Sequence, residues 1–442
     1  MPAVLLISNQ FAPVAEPGTL RPIALARYLP EHGYDVAVAA NDVPPPGRLA
    51  TQQRIEEGIL DTLPSSVAIH RGFPGQVEYG RGGGEAIEVA GSRWVSFSLA
   101  RDLLVGMAKR FFIGGPHVRA DYCRLRFSAI SAIQRYRCQL VVATGPPFVA
   151  VTVGAAAARA SGLPFIGDVR DPWSYGALWN CRTPEQKAEH QASEPHILRQ
   201  AARMVYTSPQ MRDNVAAAYP QYAEKLRFIL NGFDTQSTPA TRVRQDRLVV
   251  TFTGTLYSYR DPGVVLKALD ILERQAPEEA AYLLVRFVGD QGIHKERLQD
   301  YRGRAIVEAV PPVDVETSRK MMQDSDVLLL LQTIEGSGAD VISGKVYEYL
   351  AAGRPILGVV PPGGGDEWLL KQANVGPIHG IHDPEPIARS LISLVKQWQA
   401  DQLTATIDPA WLAQFHRREV ARRYAELFDE VLAEPSNAPT RR

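Results

Sequence analysis

Cysteine is scarce in this 442-residue chain: Cys123, Cys138 and Cys181 are the only three, and no two stand at Cys-x-x-Cys spacing. A disulfide framework or a cysteine zinc site is therefore excluded, and the usage fits a reducing compartment, the cytosol. An excess of either charge is also missing. Lys and Arg number 48, Asp and Glu number 48, and the pI is about 7.1. That balance argues against the basic footprint of a nucleic-acid-binding protein. Long apolar runs are absent as well; Val327–Leu331 falls far short of the ~20 residues that cross a bilayer. No charged leader precedes the first apolar run at Ala3, so no signal peptide is expected. The loop after that run holds Gly18 alone rather than Gly-x-Gly-x-x-Gly, which sets aside a nicotinamide dehydrogenase.

What is present is an alternation of short apolar runs with helix-patterned stretches, the mark of parallel sheets covered by helices on both faces. Ala3–Ser8, a helix over Leu20–His32 stopped at Gly33, and Asp35–Ala40 make an opening β-α-β unit. The strand rhythm continues at Leu140–Ala143, Phe165–Val169 and Met204–Ser208. A polar segment without periodicity over 236–246 reads as a linker, after which strands resume at Leu248–Thr253, Leu283–Val288, Val327–Leu331 and Ile356–Val360. The pattern predicts one α/β domain over 1–235 and another over 247–405. A C-terminal segment, 406–433, follows, with Trp411–Leu432 expected as a single amphipathic helix, and 434–442 is expected as a disordered tail. Turn clusters at Pro44-Pro45-Pro46 and Gly82-Gly83-Gly84 predict irregular chain there, with a mobile loop over Gly80–Gly91.

Two segments carry chemistry. In Gly338–Pro355, Ser343 stands ready to cap a helix that starts at Gly344 and stops at Gly353 and Pro355. Its amino end offers free N–H groups and a positive dipole suited to phosphate, with Lys345 in the first turn. Glu348, one turn on, is placed to accept hydrogen bonds from a neutral polyol such as ribose. In Thr251–Pro262, Gly254 directly follows a strand, where backbone approaches a ligand closely. Arg260 lies in the loop beyond, within reach of the same phosphates. The alternative for both segments is an ordinary turn and solvated surface charges. The Asp-x-Asp pair Asp324 and Asp326 precedes a strand rather than ending one, and reads as helix end and turn.

Taken together these segments resemble a GT-B glycosyltransferase of the family-4-like group, in its bacterial cell-surface-polysaccharide branch. The resemblance runs in order through Phe11-Ala12-Pro13 with Gly18 and Arg21, Thr144-Gly145-Pro146-Pro147-Phe148, and Asp168-Val169-Arg170-Asp171-Pro172-Trp173. It continues through Asn231-Gly232-Phe233-Asp234, Gly254-Thr255-Leu256, and Ser343-Gly344-Lys345 with Tyr347–Pro355.

The resemblance implies two Rossmann-like doubly wound domains facing a cleft, with a C-terminal helix crossing back to the first. It implies retaining transfer of a sugar from a nucleoside-diphosphate sugar, UDP by family habit, with neither metal nor cofactor. Donor contacts then fall at Gly254, Thr255, Arg260, Gly344, Lys345 and Glu348. Asp340 takes the place of the family's first acid, usually Glu, and Thr255 stands where Arg is common. Asp171 and Arg170 join Asp340 as candidates at the reacting sugar, and Gly18, Arg21 and Thr144 line the acceptor side.

The acceptor implied is a glycan or a lipid-linked sugar. The stretch Arg93–Arg137 holds nine basic residues against Asp102 and Asp121. Trp94, Phe97 and Phe111 interleave there with Arg101, Lys109 and Arg110, which suits peripheral contact with an anionic membrane from the cytoplasmic side. A core-facing helix with a solvated basic face fits equally. A sugar-nucleotide epimerase or hydrolase of the same fold, and a noncatalytic partner subunit, also remain open.

Overall fold

Continuous apolar runs become parallel strands here because both faces of each sheet are covered. The computed structural model describes residues 1–41, 43, 54–56, 58–71, 76–79, 116–175, 184–234 and 245–434. Its chain divides into two compact units, Met1–Asn231 with Arg417–Arg442, and Gly232–His416.

The first unit is built on an eight-stranded sheet. From one edge to the other it runs Leu226–Phe228, Arg203–Tyr206, Phe165–Val169, Leu140–Gly145, Ala3–Ser8, Asp35–Ala40, Ala68–Arg71 and Gln76–Tyr79. All pairs are parallel except the last. Chain order reverses about Ala3–Ser8, which is bonded to Asp35–Ala40 on one side and Leu140–Gly145 on the other. Ligands of open α/β sheets bind beyond the carboxyl ends of strands at such a reversal.

The second unit carries six parallel strands in the order Ile306–Val310, Leu283–Val288, Leu248–Thr253, Val327–Leu331, Ile356–Val359 and Ile378–His379. Its reversal lies between Leu248–Thr253 and Val327–Leu331. The loops that follow those two strands hold Gly254 to Arg260 and Gln332 to Ser343.

Helix boundaries differ from expectation in two places. Leu20–Tyr28 is α-helical, but Leu29–His32 tightens into a 3-10 turn that Gly33 ends at φ +87°. Trp411–Leu432 is not one helix: Pro409–Ala413 stops, the chain turns through Gln414–His416, and Arg417–Ala433 begins anew. The unit boundary falls in that turn. Phe415 is held in the second unit, its carbonyl accepting from Phe233 N at 3.0 Å, and its ring 5.6 Å from Tyr347. Val420, Tyr424, Leu427, Phe428 and Val431 belong instead to the core beneath the first sheet.

The loops expected at Pro44–Pro46 and Gly80–Gly91, the basic residues Arg101, Lys109 and Arg110, Cys181, residues 236–244 of the expected linker 236–246, and residues 435–442 of the expected tail lie outside the described residues. Among the described residues no helix is long and apolar enough to cross a membrane.

Candidate functional site

In the second unit, Leu248–Thr253 delivers Gly254 at φ +109°, a backbone conformation open to glycine and strained for other residues. A Cβ at that position would collide with Lys345 Cε, so the missing side chain is what lets the lysine cross the strand end. Lys345 Nζ lies 4.8 Å from the centroid of the Phe252 ring. Among the described residues it has neither a salt bridge nor a hydrogen bond. Burial pushes its ammonium well below the ordinary lysine range; nearby Arg260 adds to the shift and Asp366 opposes it.

Arg260 is 7% exposed. Nη1 donates to the Thr255 carbonyl at 3.1 Å, Nη2 reaches Gln332 Oε1 at 3.5 Å, and the guanidinium lies 5.3 Å from the Tyr257 ring centroid. Its Nε is buried without a partner. Thr255 thus contributes its carbonyl to hold Arg260. The two cations lie near each other at the sheet edge with no carboxylate in salt-bridge contact among the described residues, an arrangement suited to an anion.

The helix Gly344–Ala352 begins after Ser343 and ends at Gly353, φ +66°. Ser343 is the N-cap residue by position, but its hydroxyl makes no capping bond. Its own N–H is held instead by Asp366 Oδ1 at 2.8 Å. Asp366 is buried, and burial pushes its carboxyl up to about 6, opposed by Ser343 N–H, Arg260 and Lys345. Glu348, half-buried on the same helix, stands 3.9 Å from Arg319 Nε. Asp340 ends the short turn Gly336–Asp340 and lines a cavity of about 570 Å³ with Glu335, Pro361, Gly363, His382 and Asp383.

The Asp-x-Asp residues occupy structural positions. Asp324 pairs with Lys320 at 3.1 Å, and Asp326 accepts Val249 N at 2.8 Å. Among the described residues no three His, Cys, Asp or Glu side chains are grouped to hold a metal ion.

In the first unit, Arg21 and Thr144 are committed to the interior rather than to an acceptor. Arg21 is 5% exposed and Asp168 fully buried. Arg21 Nε donates to both Asp168 oxygens at 3.2 Å. Nη1 donates to the Leu230 carbonyl and Asn231 Oδ1, and Nη2 to the Ile229 carbonyl and the Tyr424 hydroxyl. The Tyr424 and Thr144 hydroxyls then donate to Asp168 at 2.6 and 2.7 Å. Burial alone would lower the Arg21 pKa, but Asp168 and Tyr424 outweigh it, and the net shift is upward.

Gly18 lies against Arg170, whose Nη1 would be 2.8 Å from any Cβ there. Arg170 donates to the Pro146 carbonyl, and its backbone N–H to Gly145 O at 2.8 Å. Asp171, beside it, is half-buried; burial pushes its carboxyl up while Arg170 opposes. Behind this loop Trp173 stacks on Phe148 with centroids 4.5 Å apart, and His190 meets both rings edge-on. Ser174 donates to the fully buried Glu194. Burial pushes the Glu194 carboxyl up to about 7, against the Ser174 contact.

Sequence reasoning missed Asp366, Gln332, Arg319 and Glu194. For Asp366 a signal existed, the glycine run Gly363-Gly364-Gly365 just after a strand at the ligand-bearing edge.

Two doubly wound parallel sheets, each with its chain reversal at a loop-rich carboxyl edge, define the GT-B fold. Solved structures agree in fold. Anabaena HepE in complex with UDP-glucose is 15% identical at a TM-score of 0.60, over 97% of this chain and 99% of that one. A glycosyltransferase from Rickettsia africae is 13% identical at a TM-score of 0.59, over 98% and 99%. Residues 22–232, just under half of the chain, match the family described as a glycosyl transferase 4-like domain. The chain is similar to D-inositol 3-phosphate glycosyltransferases of Streptomyces scabiei, at 27% identity over 49% of this chain and 50% of the relative, and of Streptomyces avermitilis, at 28% over 57% and 54%. The chain thus spans about half the length of these curated relatives.

Proposed function

We propose that the protein transfers a sugar from a nucleoside-diphosphate sugar to a hydroxyl of a glycan or lipid-linked acceptor. The reading rests on one observation: Arg260 and Lys345 are gathered beside Gly254 at the reversal of the second sheet, with no carboxylate closing on either among the described residues. Two like charges held partly out of water are costly until an anion arrives, and the amino end of the helix Gly344–Ala352 favours the same ligand. When the glycosidic bond breaks, negative charge grows on the leaving diphosphate. Arg260, Lys345 and that helix end neutralise it, which lowers the barrier without requiring a metal.

Glu348 accepts from the ribose hydroxyls, and Asp340 meets the sugar. Asp171 and Arg170 orient the acceptor from the loop after Phe165–Val169. The departing phosphate takes the acceptor's proton, and anomeric configuration is retained. The names of the Streptomyces relatives support a polyol or polyol phosphate among the acceptors tried. Work at a membrane-bound polysaccharide precursor, on the cytoplasmic face, is part of the same proposal, as is UDP as the nucleotide.

The test is calorimetric titration with nucleoside diphosphates and their sugars, followed by mass spectrometry of products with glycan, lipid-linked and inositol-phosphate acceptors. Binding with transfer supports the reading. Binding with an altered sugar nucleotide and no acceptor product would make the protein an epimerase or hydrolase, and no binding would leave a noncatalytic subunit. Glu348→Ala is expected to abolish most transfer without unfolding.

A further inference from the structure

The turn Gly364-Gly365-Asp366 sits tightly under the chain that leads into the helix Gly344–Ala352. A Cβ on Gly364 would stand 2.6 Å from the Ala339 carbonyl oxygen, and one on Gly365 would stand 2.7 Å from that of Asp340 and 2.8 Å from Ile342 Cγ1. Only residues without side chains allow so close an approach. The next residue, Asp366, is buried and takes the Ser343 N–H at 2.8 Å. The segment from Ala339 to Ser343 is therefore clamped from below at three successive points. It carries Asp340 at one end and delivers Gly344 and Lys345 at the other. Among the described residues, Asp366 is the buried carboxyl group that acts on Lys345, opposite to the effect of Arg260.

We infer that Asp366 is a positioning residue of the donor site: by accepting the Ser343 N–H it fixes the amino end of the helix Gly344–Ala352, and it sets a carboxyl group near Lys345. The inference rests on the proposed donor site and deepens it. The groups facing the pair are Arg260, from the loop after Leu248–Thr253, the Ser343 N–H, and the Tyr349 hydroxyl, which Thr253 N occupies at 2.9 Å. A lysine in this place binds an anion only when protonated, so diphosphate affinity falls as pH rises through the free-site lysine pKa. Removing the Asp366 charge moves that fall to lower pH.

The experiment is calorimetric titration of UDP into the full chain between pH 6 and 9, comparing wild type with Asp366→Asn, which keeps an acceptor for Ser343 N–H and loses the charge. The dissociation constants are expected to agree within about threefold at pH 6 and to differ by about tenfold at pH 8.5, the variant binding more weakly there. Lys345→Arg, whose guanidinium stays charged throughout, should flatten the profile in both backgrounds. Should Asp366→Asn fail to fold, Asp366→Ser gives the same comparison. Parallel profiles for wild type and variant, with Lys345→Arg making no difference, would reduce Asp366 to a structural residue and overturn the inference while leaving the donor site standing. Failure of wild type to bind any nucleoside diphosphate overturns both.

Discussion

The two sheets reverse chain order in the same way, and each places an arginine and an aspartate near that reversal, yet the pairs do opposite things. In the first unit Arg21 uses every N–H it has, against Asp168, Tyr424, Asn231 and two carbonyls, and Asp168 is saturated in return. In the second, Arg260 keeps an unpartnered Nε, Lys345 stands beside it, and Asp366 turns to a backbone N–H rather than forming a salt bridge. A satisfied ion pair locks a fold; an unsatisfied cation pair waits for a ligand. Residue type at the carboxyl edge of a strand does not distinguish them. What distinguishes them is whether the hydrogen-bonding capacity is already filled.

The largest effect expected follows from breaking the closed pair. Arg21→Ala leaves Asp168 buried without its cation and should lower stability by about 3–5 kcal/mol, read as a lost or strongly lowered denaturant midpoint. A midpoint within experimental error of wild type would erase the contrast between the two sheets.

A second test uses a buried carboxylate of the first unit that has no cation in salt-bridge contact among the described residues. Glu194, pushed up to about 7 from an unfolded value of 4.5, binds its proton more tightly when folded. Its unfavourable contribution is therefore absent below about pH 4.5 and grows as pH rises to 7, reaching about 3 kcal/mol above that. Glu194→Gln should match wild-type stability near pH 4.5 and exceed it at pH 8; equal stability at both ends would mean the carboxylate is not so isolated.

For the open pair the sign reverses. Lys345→Ala and Arg260→Ala should each weaken nucleoside-diphosphate binding by about 1.5–3 kcal/mol, a factor of about 10 to 150 in dissociation constant. Folding stability should hold or rise, because a buried like charge is removed; an unfolded variant with unchanged affinity in its folded fraction would reassign both residues to structure. Smallest of all, Arg319→Ala removes the half-exposed partner 3.9 Å from Glu348 and should change stability by less than about 1 kcal/mol. A larger loss in thermal melts would show that this surface pair carries more than its exposure allows.

Much of this architecture was legible in the sequence because strands buried on both faces read as unbroken apolar runs: Ala3–Ser8, Leu248–Thr253 and Val327–Leu331 stand where the runs stand. Edge strands were harder. Ile306–Val310 is half-exposed, and a strand wet on one side does not stand out as an apolar run. The false single helix at the C-terminus has a plain cause: Phe415 keeps the apolar spacing set by Trp411, but it is buried against Tyr347 within the second unit, whereas Tyr424 and Phe428 belong to the core of the first. In the candidate site, Gly254, Arg260, Lys345 and Glu348 could be picked out because each lies just after a strand or in the opening turns of a helix. Asp366 arrives from a later strand and touches Ser343 across 23 residues, a proximity that local pattern does not encode. Arg21 misled for the converse reason, since a loop-side arginine looks the same in sequence whether it meets solvent or a buried carboxylate.

The turn at Gln414–His416 has a bearing on how the protein is made. The second unit is an insertion between two pieces of the first, so the helix Arg417–Ala433, which completes the first hydrophobic core, leaves the ribosome only after the whole of the second unit. Until it docks, the face of the N-terminal sheet that Tyr424, Phe428 and Val431 cover stays open to water, whereas residues 232–416 already have everything they need to collapse. The later half of the polypeptide is thus free to fold ahead of the earlier one, and a nascent chain that ends before Arg417 would carry a finished second unit beside an exposed, aggregation-prone sheet.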